Sequence, residues 1–272
     1  MTNIHPTAIV DKNAKIADDA IIGPWCIIGP KVTIGPKVHL RSNVVVDGET
    51  SIGEGTEVYP FTTIGVSSQH AQFMNETGKV TIGKNNKIRE HVTIHVGTPV
   101  DKNETIIGDN CLIMVNTHIA HDCVIGNGVY MSNLTTLAGH VKVEDNAILG
   151  GMCAIHQFCR IGSRAMIGGM TGIGQDIIPY GMITGVRGSL KGLNLIGLKR
   201  GGFSVEEIGA LRRAYKELFI TEGEDTLTER MEKVAEKYKG SKLVENVLTF
   251  MKADSKRGIS VPKEDEDDDE NA

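Results

Sequence analysis

An aliphatic residue returns at every sixth position for most of this chain, and that recurrence leaves few folds open to it. The first series runs Ile4, Val10, Ile16, Ile22, Ile28, Ile34, Leu40, Val46, Ile52, Val58 and Ile64, and it returns in phase at Ile82, Ile88 and Ile94. After a one-residue shift it runs again through Ile107, Ile113, Ile119, Ile125, Met131, Leu137, Val143, Leu149, Ile155, Ile161, Ile167 and Ile173. A helix repeats its apolar positions every three to four residues and a strand every two, so neither alone accounts for the pattern. A second position agrees. Four residues after each aliphatic one comes a small or β-branched side chain, such as Ala14, Val38, Thr62, Thr117 or Ala147, and all five cysteines fall there. Such residues suit the inside of a narrow coil, which makes the cysteines buried spacers.

The physical picture is a triangular prism. Each hexapeptide forms one flat side, three close a turn, and residues 18 apart then stack about 4.8 Å from one another, the spacing of neighbouring strands. Parallel crossovers are usually right-handed, so periodicity leaves the hand of the coil open. Two breaks, near 65–81 and 97–106, read as loops thrown out of the prism, and long excursions of this kind often serve function. After Pro179 the period dissolves. Ser204 with Glu207 and Thr226 with Glu229 are capping-box signatures, opening helices to about Phe219 and Tyr238. A third helix is expected from about Ser241 to Met251. Helices here would cover the open end of the prism, where strand edges are otherwise exposed. The expected organisation is a parallel β-helix over 1–186, a C-terminal α-helical domain over 187–255, and an acidic, disordered tail over 256–272.

Composition bears on function at three points. Aromatics make up only 4% against 32 glycines, which suits short, regularly turned strands. The net charge of −5 is dominated by the run Glu264 to Glu270, seven acids in a row; without it the chain carries +2. Such a block reads as a solvated tail. Neither a signal peptide nor a membrane span is legible, and five unpaired cysteines fit a reducing compartment, so a cytoplasmic location is expected.

None of the nine histidines takes an inward position. His118, His121, His140 and His156 lie close in sequence, and stacking by 18 carries His121 to Gly139 and then to Gln157. His140 and His156 therefore sit one residue from that column on successive coils, with Asp122 directly after His121 to orient or stabilise an imidazole. Clustered imidazoles suit either a zinc site or general-base catalysis, and spacing does not choose between them.

The hexapeptide array, NTHIAHDCVIGN, LAGHV, AIHQF and GLNLIGLKRGGF together resemble the UDP-N-acetylglucosamine O-acyltransferases that open lipid A synthesis. The likeness runs from about Ile4 to Met251. It implies a left-handed parallel β-helix, a homotrimer with active sites between subunits, and no resident metal or cofactor. The implied reaction moves an (R)-3-hydroxyacyl chain from acyl carrier protein to the sugar 3-hydroxyl. In that scheme His121 is the base, Asp122 orients it, and the Gly139 N–H stabilises the oxyanion. His118, His140, His156, Gln157, Asn194 and Arg200 would hold nucleotide sugar or acyl donor. Gly169 would limit acyl length, with Met166 and Met170 beside the groove. Arg160, Arg164, Arg187, Lys191, Lys199 and Arg200 would form a landing surface for the acidic carrier protein.

The chain departs from the family pattern at three places. His70 and Gln72 stand where many members have an acid and a lysine, Val186 interrupts a segment reading Gly185-Val186-Arg187-Gly188, and Gly201 replaces a second basic residue. These changes leave the acceptor open between a 3-hydroxyl and a 3-amino sugar. A zinc carbonic anhydrase shares the β-helix but separates its paired histidines by four residues, whereas two lie between His118 and His121. A non-catalytic scaffold would need neither the His121–Asp122 pair nor a helical cap. The N-acyl relative of the pathway carries a uridine-binding domain ahead of the repeat, for which a repeat starting at Ile4 leaves no room.

Overall fold

The computed structural model describes residues 3–73, 77–220 and 224–262. The acidic run Glu264 to Glu270 lies outside the described residues. Among them are 28 short strands and four helices. The strands build three sheets of 11, 9 and 8, the first, second and third faces of a prism, and up to Ile173 each strand pairs in parallel with the third one along. Regular partners are 18 residues apart, as in Asn3↔Ile21 and His118↔Thr136. Two excursions change that spacing. Thr63 pairs with Thr93 at a separation of 30, an excess of 12, and Thr93 pairs with His118 at 25, an excess of 7.

Both excursions leave at the same corner. The first joins Thr63–Val66 of the second face to Lys79–Ile82 of the third, and the second joins Thr93–His95 to Glu104–Ile107 across the same edge. The turn holding His121 and Asp122 is the next one along that edge, between His118–Ile119 and Val124–Ile125. Parallel stacking therefore lays two loops directly against the histidine column.

The interior follows the two inward positions of the repeat. Ile22, Ile28, Ile64, Ile94, Ile119 and Ile155 are buried in one continuous core with Val38, Val44, Ala147 and all five cysteines. The cysteines are free thiols. Burial drives Cys123 up to about 12, so these groups stay protonated and act as small apolar fillers. Corners need a left-handed backbone residue, and Asn43, Asn85, Asn110, Asn116 and Asn146 supply it at low steric cost. Asp122, His140 and Phe158 take the same conformation at the functional corner, with φ of 60°, 61° and 69°.

Past the last coil, Ser189–Leu193 turns back antiparallel on Gly181–Thr184. Residues assigned from sequence to the helical domain thus complete the first sheet. Then come helix α1 (Leu195–Arg200), α2 (Val205–Phe219), α3 (Leu227–Lys237) and α4 (Lys242–Lys252). Helices α2 and α3 begin with complete capping boxes at Ser204/Glu207 and Thr226/Glu229. The short α1 has no acidic first turn and escaped the sequence reading; Asn194 caps it by accepting from the Gly197 N–H at 2.9 Å. Leu198, Leu211, Val234 and Val247 close a second core over Ile178 and Leu190 at the end of the prism. Asn246 of α4 ties the two together through the Tyr180 hydroxyl at 2.9 Å.

The stretch 256–262 departs from the expected disordered tail. The Ser260 N–H donates to the Asp176 carbonyl, Asp176 donates its own N–H to Gly258, and Arg257 Nε donates to the Gln157 carbonyl at 2.7 Å. These bonds strap the chain along the corner that carries the histidines. Packing of the stacked interior leads to a stability test. Ile119→Ala is expected to cost about 2–5 kcal/mol, and Lys15→Ala on the exposed third face less than about 0.5 kcal/mol, by urea denaturation.

Candidate active site

Directly beside His121 lies the buried carboxyl group of Asp122, 3% exposed. Its Oδ2 lies 2.8 Å from His121 Nδ1. Thr98 of the second loop donates its N–H to Oδ1 at 2.9 Å and its hydroxyl to Oδ2 at 2.5 Å. The Asp122 N–H is taken by Thr105 Oγ1 at 2.9 Å, and His140 Nε2 stands 3.7 Å from Oδ2. Burial would raise this carboxyl; the His121 hydrogen bond, both bonds from Thr98 and the nearness of His140 outweigh it and hold the group below the usual range. Asp122 is thus a carboxylate that fixes the neighbouring imidazole through Nδ1 and leaves Nε2 for other chemistry.

Gly139 is a glycine because of that imidazole. A Cβ placed there would sit 2.3 Å from His121 Cε1 and 2.6 Å from Nε2, so any other residue would expel the ring. Among the described residues no acceptor takes the Gly139 N–H. His140 follows, its N–H on the His121 carbonyl and its Nδ1 2.9 Å from Asp101 Oδ2. The two imidazoles meet edge to face at 5.1 Å, and His140 stacks on Phe158 at 4.6 Å. The Lys256 ammonium of the strap lies over the Phe158 ring, 4.1 Å from its centre. A cleft of about 720 Å³ opens between Val100 and Asp101 on one side and Asp254 to Lys256 on the other, with His140 and Phe158 in its floor.

The first loop brings His70 within 5.3 Å of the His121 ring, and Gln72 donates its N–H to His70 Nδ1 at 3.3 Å while its side chain stays exposed. His118 lies on the second face, bonded through Nδ1 to Thr93 Oγ1 at 2.7 Å. His156 turns away, its Nδ1 engaged by Arg257 at 2.5 Å, and Gln157 gives its carbonyl to the same guanidinium. His121, Asp122 and His140 are the one trio among the described residues whose ligand atoms approach within 4.8 Å, so a cation would find its donors there.

The remaining candidates stand elsewhere. Asn194 and Arg200 join Tyr130, Ile148, Arg164 and Met166 around a cleft of about 540 Å³ on the first face. Asn194 is nearly buried, donating to the Arg164 carbonyl at 3.0 Å while it caps α1. Gly169 and Met170 occupy the corner between first and second faces, Met170 69% exposed. No single chain brings this group to His121. Arg160 is a poor landing residue: Asp176, fully buried, holds it at 2.7 Å, and it stacks on Phe250. Arg187, Lys191, Lys199 and Arg200 are exposed; Arg164 is half-buried against Phe203.

Sequence reasoning missed three neighbours, His95, Thr98 and Asp101. Carrying the columns across the second loop at a spacing of 25 puts His95 level with Ala120, a signal visible only once the excess of that loop is known. His95 is 4% exposed, edge-on to His118 at 4.9 Å, with Nδ1 buried and unpartnered. Burial first, then His118 and His121, push it down to about 4; burial, then His121, lowers His118 as well.

Comparison with known proteins follows the same division of the chain. The family model described as Udp N-acetylglucosamine O-acyltransferase, Domain 2, matches residues 176–260, and the bacterial transferase hexapeptide model (six repeats) matches 1–36 and 104–139. The acyl-[acyl-carrier-protein]–UDP-N-acetylglucosamine O-acyltransferase of Thermodesulfovibrio yellowstonii is 49% identical over 95% of this chain and 99% of its own length. Its namesake from Sinorhizobium fredii is 43% identical over 95% of both. The solved structure of UDP-N-acetylglucosamine acyltransferase from Francisella novicida aligns with a TM-score of 0.91 at 38% identity, covering 96% of this chain and 95% of that one. These likenesses supply the hand that periodicity left open: the prism is a left-handed parallel β-helix with a C-terminal helical domain.

The depressed His95 generates a pH test. In the unfolded chain this imidazole protonates near its ordinary 6.5, while in the fold it stays neutral until about 4. The unfolded state therefore binds more protons between those values, and stability is full above about 6.5 and declines as pH falls toward 4. The contribution is on the order of 3 kcal/mol. His95→Asn is expected to flatten that decline, read as melting temperature against pH.

Proposed function

The chain belongs to the acyl-[acyl-carrier-protein]–UDP-N-acetylglucosamine O-acyltransferase family, the enzymes of the first step of lipid A biosynthesis, and we propose that His121, Asp122 and Gly139 are its catalytic centre. In this reading His121 Nε2 takes the proton of the sugar 3-hydroxyl as that oxygen attacks the thioester carbonyl of an (R)-3-hydroxyacyl carrier protein. The C–O bond forms, the carbonyl becomes a tetrahedral oxyanion, and the Gly139 N–H stabilises it. Collapse breaks the C–S bond, and the His121 imidazolium returns its proton to the departing thiolate. Asp122 stabilises the imidazolium through Nδ1, a role that its lowered pKa supports. The observation carrying the reading is the His121 ring, 2.8 Å from a buried carboxylate and packed flush on a glycine that tolerates no side chain.

Substrate contacts are assigned on the same basis. His118, His140, His156, Gln157, His70 and Gln72 line the catalytic corner and its flanks, suited to nucleotide sugar and phosphopantetheine. Asn194, Arg200, Gly169, Met166 and Met170 lie one face away, which supports a homotrimer in which one subunit presents its catalytic corner to the first face of the next. The exposed apolar surface agrees: Ile9, Ile27, Tyr130, Met152 and Met170 are between 46% and 69% exposed, all on the first two faces or the corner between them, whereas Lys15, Thr33, Thr81 and Lys142 occupy the third. Gly169 leaves room for a long acyl chain, with Met166 and Met170 bounding it. Arg187, Lys191, Lys199 and Arg200 form the basic surface for the acidic carrier protein. No helix among the described residues is long and apolar enough to cross a membrane. The free thiols support a cytoplasmic location.

A 3-amino acceptor is the second reading, favoured by the His70 imidazole facing His121 where many members carry an acid. The deciding assay offers 3-hydroxyl and 3-amino UDP-sugars with a panel of 3-hydroxyacyl carrier proteins. Transfer to UDP-N-acetylglucosamine is expected, with kcat at least about 10²-fold lower in His121→Ala. An unchanged rate in that variant would overturn the assignment.

A further inference from the structure

The second loop does more than shield the corner. Its neck is pinched where Gly97 packs on Asn103 and Glu104, leaving no room for a side chain. Beyond the neck, Thr98-Pro99-Val100-Asp101 makes a tight turn closed by the Asp101 N–H on the Thr98 carbonyl at 3.2 Å. Proline at the second position presets the backbone for such a turn, so the side chains at its two ends hold a fixed separation. Those ends grip different members of the site. Thr98, fully buried, gives Asp122 two hydrogen bonds, one to each carboxylate oxygen. Asp101, three residues on, accepts from His140 Nδ1 at 2.9 Å.

We propose that the turn Thr98–Asp101 is a two-point positioning clamp, in which Thr98 sets the Asp122 carboxylate against His121 and Asp101 sets the ring of His140. The proposal rests on the reading of His121 and Asp122 as the catalytic pair. The two grips have separable consequences. Without the Thr98 hydroxyl the N–H still holds Oδ1, but Oδ2, the oxygen that meets His121, loses a donor and the carboxylate plane is less firmly set, so the proton transfer suffers and ground-state binding does not. Without Asp101, His140 keeps its place on Phe158 but loses the acceptor that fixes its tautomer and tilt, and with them its aim at bound substrate. Thr98 therefore acts on kcat and Asp101 on KM.

Steady-state kinetics on the full chain test this with two pairs of variants. Thr98→Val is expected to lower kcat by about 10-fold or more with KM held within about threefold, and Thr98→Ser, which keeps the hydroxyl, to recover most of the loss. Asp101→Ala is expected to raise KM for one of the two substrates by about 10-fold with kcat within about threefold, and Asp101→Asn, which keeps an acceptor oxygen, to stay near the native value. A loop that only shields the corner would move kcat and KM together in both alanine and valine variants, and that result overturns the clamp, as does native behaviour in both. A kcat loss in Thr98→Ser as large as in Thr98→Val, or a KM rise in Asp101→Asn as large as in Asp101→Ala, also overturns the clamp, because each conservative variant keeps the hydrogen-bonding atom while leaving the loop intact. His121→Ala run alongside separates the two levels: full activity there removes the catalytic reading, whereas an inactive His121→Ala beside a native Thr98→Val removes the clamp alone.

Discussion

Everything in this molecule depends on one repeated contact, the parallel stacking of each strand on the strand one coil below. Backbone hydrogen bonds such as Ile148 N–H to Ala165 carbonyl and Ala154 N–H to Thr171 carbonyl hold successive coils at the strand spacing. An inward isoleucine then stacks on other aliphatic residues, so one continuous apolar core runs along the prism, with buried threonines and Asn86 set among its aliphatic side chains and cysteines. The same contact turns a linear sequence into columns. A side chain on a corner inherits neighbours from the coils above and below, and a catalytic arrangement spread over His121, Gly139 and His140 becomes a local affair.

Regularity also explains why irregularity concentrates where it does. A loop inserted at a corner leaves the three faces undisturbed, because the strands on either side resume their pairing with only the residue count changed. Two such insertions at one corner, together with the strap from Ser255 to Ser260, wall in the site using backbone that the prism does not need. The result is a buried carboxylate with both oxygens hydrogen-bonded. Asp122 would be costly in this setting if left bare; with His121 and Thr98 on it the charge is held in place. His95 shows the opposite outcome, an imidazole buried without a charged partner and kept neutral.

Much of the site was legible from spacing. Counting by 18 from His121 reaches Gly139, and the ring indeed lies on that glycine. The same count placed His140 and His156 one step to the side, and His140 meets His121 while His156 is drawn off by Arg257. Arg160 read as surface charge and turned out to be locked to Asp176, since an ion pair between turns 16 residues apart leaves no periodic trace. Helix α1 was invisible for a related reason: six residues are too few to establish a period, and Asn194 caps them through a side chain that also serves the neighbouring coil.

By itself, the sequence determined which side chains point inward and where two capped helices begin, because those properties are set by neighbours within a few residues. Tertiary structure decided how the loops and the C-terminal strap close over the corner, and with them the environment of Asp122, His140 and His95. Those contacts join residues separated by 24, 39 and 100 positions, as in Thr98 to Asp122, Asp101 to His140 and Gln157 to Arg257. Local preference does not encode such distances; they exist only once the coils have stacked. It likewise set Asn194 and Arg200 a face away from His121, since a rigid prism cannot fold one corner onto another.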